Sequence, residues 1–82
     1  MSLKEKLKHI LIDTLNMEDI TPDQIGNDDI LFGDKFGLDS IDAVEIVFQV
    51  EQHFGIKIRD MKEGRPALQS INTLAAFIEA RR

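Results

Sequence analysis

The sequence predicts an all-α fold: a four-helix bundle with three main helices, a short third helix and a long loop between the first two. Three observations predict it. Apolar residues recur at three- and four-residue spacing in three separate segments. Residues that start and stop helices bound those segments. The one alternating run, Phe54-Gly55-Ile56-Lys57-Ile58, finds no second run to pair with, and a lone strand has no sheet to join.

The first helix opens with Ser2 and Glu5 at capping-box spacing, and Leu3, Leu7, Ile10, Leu11, Thr14 and Leu15 form one stripe that ends near Asn16. The connection from Met17 to Leu38 is punctuated by Thr21-Pro22, Gly26-Asn27, Gly33 and Gly37. Loops of that length are usually functional or anchored, and Ile20, Ile25, Ile30, Leu31, Phe32, Phe36 and Leu38 are its expected anchors. The second helix runs from about Ser40 to His53, capped by Asp39 with Asp42 three residues on, and ended by Gly55. A short helical segment is expected over Arg59–Glu63, stopped by Gly64 and Pro66. The last helix is expected to start after Asn72 as N-cap and to turn Leu74, Phe77 and Ile78 inward. Neither an internal repeat nor a second domain is visible, so residues 1–82 read as one domain.

At 82 residues the chain is near the lower size at which a single core suffices. It has no cysteine, so no disulfide or zinc–thiolate site holds it, and two histidines do not point to a metal centre. No apolar run approaches the roughly 20 residues that span a bilayer, and the segment beginning Met1-Ser2-Leu3-Lys4 is amphipathic rather than a signal peptide. A small, soluble, cytoplasmic protein without membrane insertion is expected. Net charge is −5 and unevenly spread. Residues 13–55 hold eleven acids against Lys35 alone, whereas residues 56–82 hold six bases against three acids. An acidic centre argues against a nucleic-acid footprint and suits basic patches on partner proteins.

The second helix carries two apolar stripes at about 100° per residue. Ala43, Ile46, Val47, Val50 and Phe54 make a core arc, while Ile41, Val44 and Phe48 lie roughly opposite, rimmed by Asp42, Glu45, Glu51 and Gln52. An apolar stripe rimmed by acids has the composition of a protein-docking face, although packing beneath the long loop would also explain it. Ser40 occupies the first helical position with its hydroxyl at the positive end of the helix dipole, where phosphate is favoured by free backbone N–H groups.

Gly37-Leu38-Asp39-Ser40-Ile41 and the following Val44-Glu45-Ile46-Val47 resemble the 4′-phosphopantetheine attachment region of acyl carrier proteins. Length, helix order and acidity extend the resemblance over nearly the whole chain. The resemblance implies that Ser40 carries the covalent arm from coenzyme A, with Asp39 beside it. It places Ile41, Asp42, Val44, Glu45, Phe48 and Glu51 at partner-recognition positions. It implies a monomeric carrier rather than an enzyme, modified by a phosphopantetheinyl transferase. Acyl-loading, condensing and other acyl-processing enzymes of fatty-acid, polyketide or related biosynthesis would then use its thioesters through basic docking patches. Gln52, Phe48 and the basic stretch Arg59–Pro66 depart from the housekeeping pattern and point to a specialised member. The Gly-Leu-Asp-Ser lead-in differs from that of peptidyl carriers. An aminoacyl or peptidyl carrier, or an unmodified helical interaction domain on a degenerate carrier fold, are the alternatives. A hydrolase is disfavoured, because Ser40 lacks a nucleophile elbow and Asp39 is adjacent rather than oriented through histidine. Asn27, Asp28, Asp29 and Asp34 lack the spacing of a calcium loop.

Overall fold

A computed structural model describes residues 2–81, with the side chains of Met61 and Glu63 also outside the described set, as is Met1 of the amphipathic start. Four α-helices form: α1 Leu3–Thr14, α2 Ser40–Phe54, α3 Met61–Ala67 and α4 Ile71–Arg81. Among the described residues there is no strand, and residues 55–59 have no regular secondary structure. α1 packs against α4 and α2, and α3 packs against α4. The core between them is built from Leu7, Leu11, Ile46, Val50, Ile71, Leu74 and Ile78, all essentially inaccessible.

Local signals bound α1 and α2 where the sequence places them. The Ser2 hydroxyl accepts from the Glu5 N–H at 3.2 Å, starting α1. Asn16 closes it in the left-handed region (φ 52°), letting the Met17 N–H reach back to the Ile12 carbonyl at 3.0 Å. The expected α1 stripe shifts slightly: Ile12, not Ile10, joins Leu3 and Leu15 against the core. Gly55 ends α2 at φ 68°, a conformation that suits a residue without Cβ.

Two boundaries differ from expectation. α3 was expected to stop before Gly64, yet it runs through Gly64 and Pro66 to Ala67. Glycine in a helix costs only about 1 kcal/mol, and burial of Ala67 and Leu68 offsets it. Pro66 removes one helical donor, but the Gly64 N–H still bonds the Asp60 carbonyl and the Leu68 N–H bonds that of Gly64. α4 starts at Ile71, two residues earlier than an Asn72 cap would allow. Ser70 is the cap instead: its hydroxyl accepts from the Thr73 N–H at 3.2 Å, and Thr73 Oγ1 accepts from the Ser70 N–H at 2.9 Å. Leu74 and Ile78 turn inward as expected, while Phe77 is half-buried with the Arg81 guanidinium 3.7 Å above its ring.

The long connection is anchored rather than free. Ile25 and Leu31 are buried, Ile20, Phe32, Phe36 and Leu38 pack on the core, and Pro22–Gln24 make one 3-10 turn. Backbone bonds lace it to the α3–α4 corner, with the Leu31 N–H donating to the Gln69 carbonyl and the Asn72 N–H to that of Asn27. Asn72 Nδ2 also donates to Asp28. Ile30 is the exception among the expected anchors, half-exposed on the surface.

Candidate functional site

The site grows from the start of α2. Asp39 adopts an extended backbone and its Oδ1 accepts from the Ile41 N–H at 3.0 Å and the Asp42 N–H at 3.2 Å. Asp42 completes the capping box by accepting from the Asp39 N–H at 3.0 Å. This reciprocal pair fixes the first turn and holds Ser40 at the helix start, exposed. The Ser40 hydroxyl has no hydrogen-bond partner among the described residues. Its surroundings differ from the sequence expectation in one respect. The Ile41 and Asp42 N–H groups, which would have favoured a phosphate, are already taken by the Asp39 carboxylate.

Ser40 stands on the rim of an open cavity of about 680 Å³. Ile30 and Phe32 from the long connection, Leu38, Ala43 and Val44 around the start of α2, and Pro66 and Leu68 from the far side give it an apolar wall. Its polar lining comes from Asp39, Ser40, Arg65 and Gln69. Sequence reasoning missed Ile30, Arg65 and Gln69 as neighbours of Ser40. No spacing signal unites them, because the Leu31–Gln69 backbone bond brings the loop and the α3–α4 corner together.

α2 turns its two stripes as expected. Ala43, Ile46 and Val50 are buried, and Val47 and Phe54 pack at the core edge. Ile41, Val44 and Phe48 remain 72%, 64% and 52% exposed, so the loop does not cover them. The acids around this stripe are not equivalent. Asp42 is engaged in the cap, and Glu51 lies 3.9 Å from Lys57 in a solvent-exposed pair. Glu45 is exposed and has no partner among the described residues. Two acids of the long connection, Asp28 and Asp29, are engaged within the chain. Asp29 binds Lys35 at 2.7 Å and the Gly26 N–H at 2.8 Å, which holds its carboxyl below the ordinary aspartate value, chiefly through Lys35 and then through Gly26. Among the described residues no cluster of three potential ligands assembles a metal site. None of the described helices is long and apolar enough to cross a membrane.

The family described as phosphopantetheine attachment site matches residues 5–79. The chain belongs to this family. An acyl carrier protein of Solidesulfovibrio magneticus is 33% identical over 82 residues, covering 100% of this chain and 97% of the relative. One from Akkermansia muciniphila is 36% identical over 78 residues, covering 95% of this chain and 90% of that one. In structure, the chain is similar to a holo acyl carrier protein from Nitrosomonas europaea solved by NMR in solution. The TM-score is 0.79 at 25% identity, with 99% of this chain and 96% of that chain covered. It is an acyl carrier protein with a phosphopantetheine attachment domain, hence a carrier and not an enzyme. The group that the family carries is a covalent phosphopantetheine, and such carriers work with phosphopantetheinyl transferases and acyl-processing enzymes. An exposed serine hydroxyl with no hydrogen-bond partner among the described residues, on a capped helix start beside a largely apolar cavity, fits such a group.

Proposed function

We propose that Ser40 is the attachment residue, and that the chain carries acyl groups as thioesters at the end of the arm mounted there. The observation that carries this reading is the unbonded, exposed Ser40 hydroxyl at the first residue of α2, held by the Asp39–Asp42 box. Ser40 Oγ bonds to the phosphorus that bears pantetheine in coenzyme A, the adenosine bisphosphate leaves, and the transferase takes the hydroxyl proton. Asp39 contributes by fixing the turn, since its Oδ1 is occupied by two backbone donors. A tethered thiol then presents its cargo at high effective concentration to successive enzymes.

Ile41, Val44 and Phe48 form the apolar centre of the docking face in this reading, and Glu45 its main steering charge. Asp42 and Glu51 belong to the same face but act partly within the chain. The partners are acyl-processing enzymes of fatty-acid, polyketide or related pathways with basic docking patches. We place the carrier in the cytoplasm, acting as a monomeric single domain over residues 1–82. Incubation with coenzyme A, magnesium and a broad-specificity transferase, followed by intact-mass measurement, tests the assignment. The native chain should gain one phosphopantetheine and Ser40→Ala none; gain in both would move the attachment elsewhere.

A further inference from the structure

The cavity beside Ser40 is apolar except at the start of α2, where Asp39 and Ser40 line it, and at the α3–α4 corner, where Arg65 and Gln69 do. Arg65 is the sole cation among the lining residues. It is exposed, and it has neither an ion pair nor a hydrogen bond among the described residues. Asp39 lines the same cavity without pairing with it, its Oδ1 being held by the Ile41 and Asp42 N–H groups. The local charge around Ser40 is therefore unbalanced. Asp39 and Asp42 place two carboxylates at the helix start, and two of the backbone donors that would stabilise a further anion are consumed. A phosphodiester on Ser40 adds another negative charge at that point, where the helix dipole alone offers about half a unit of opposing charge. A guanidinium meets phosphate oxygens through paired N–H donors and stays charged at any working pH.

Resting on the attachment of the arm at Ser40, we propose that Arg65 is the counter-ion of the phosphodiester, reaching across the cavity from α3 to hold the root of the arm. This gives one cation of the basic Arg59–Pro66 stretch a role within the chain rather than at a partner. Arg65 would orient the arm along the apolar wall of Ile30, Phe32 and Leu68 instead of leaving it to swing freely from the helix end. It is a positioning residue: it touches the group that carries the cargo and takes no part in thioester chemistry.

The test compares apo protein with forms loaded from coenzyme A, butyryl-coenzyme A and malonyl-coenzyme A, each in native chain, Arg65→Gln and Arg65→Lys. Intact mass is read first; a native chain that takes no adduct refutes the attachment reading itself, separately from this proposal. On loaded samples, the Arg65 Nε–H resonance is followed by NMR, assigned by its loss in Arg65→Gln, together with the phosphorus resonance of the arm. The proposal expects the Arg65 resonance to move between apo and all three loaded forms alike. It expects the phosphorus resonance to shift in Arg65→Gln and to shift back toward native in Arg65→Lys. The melting-temperature gain on loading should also shrink in Arg65→Gln, and the native gain should fall as salt is raised. An Arg65 resonance that moves only with malonyl cargo overturns the proposal in favour of a contact to the acyl carboxylate. A resonance that moves with none overturns it outright. Apo melting temperatures of the variants, expected to equal that of native chain because Arg65 is exposed, separate these outcomes from loss of fold.

Discussion

Ile41 and Ile46 are the same side chain five residues apart on one helix, yet Ile41 is 72% exposed and Ile46 2%. Val44 and Val50 repeat the contrast. The inward members meet α1 and α4 in a core that excludes water, where each buried methylene contributes about 0.8 kcal/mol. The outward members keep more than half of their surface in water, with Val44 on the cavity wall, and in the proposed function a partner buries them. One helix thus carries two apolar faces built from the same residue types, divided by the angle at which each side chain leaves the axis. The fold depends on one face, and the proposed recognition uses the other.

The largest expected effect tests that division directly. Ile46→Ala should destabilise by about 2–4 kcal/mol through lost burial and a residual cavity, and Val50→Ala by about 1–3 kcal/mol. Ile41→Ala, Val44→Ala and Phe48→Ala should each remain within roughly 1 kcal/mol of native stability in urea melts. The same outward variants should slow transferase kinetics by removing apolar anchors. If Phe48→Ala unfolds as readily as Val50→Ala, the outward stripe belongs to the core and the comparison collapses.

A smaller effect sharpens the outward face. Glu45→Lys should slow modification roughly fivefold at low ionic strength, corresponding to about 1 kcal/mol, with the difference fading as salt rises. Asp42→Lys should instead lower the melting temperature as well, because Asp42 closes the capping box. Equal kinetic loss from the two variants without a stability difference would show that the acids are interchangeable rim charges.

The smallest expected effect lies in the long connection. The Asp29 carboxyl sits below its ordinary value in the folded chain, so its contribution is present above the unfolded value and lost as pH falls through the folded one. Asp29→Asn should slightly lower stability at neutral pH and flatten the acid limb of a pH series of urea melts. An unchanged acid limb would remove Asp29 and Lys35 from the loop's stabilising contacts.

Much of this protein was legible in single short windows. The α1 and α2 caps, the left-handed Gly55, the two apolar stripes of α2 and the Gly-Leu-Asp-Ser lead-in all act over a few residues, and the structure places them as the sequence indicates. What the windows misjudged depends on partners distant in the chain. Gly64 and Pro66 read as stops because local propensity opposes helix there, but burial of neighbouring Ala67 and Leu68 outweighs it. Asn72 has a cap residue's chemistry, yet Ser70 and Thr73 form the cap while Asn72 turns to Asp28 in the loop. Ile30 read as an anchor because it is apolar; the loop's path brings it to the cavity instead.

The sequence by itself determined the helices, the two-faced α2 and the serine at its start, because periodicity and capping are set by neighbours within one or two turns. Only the tertiary structure decided that Ser40 opens onto a largely apolar cavity, that Arg65 lines it too, and that Glu45, of the proposed docking face, has no partner among the described residues. Those facts rest on bonds such as Leu31 to Gln69, which join residues nearly forty positions apart and leave no trace in any local pattern.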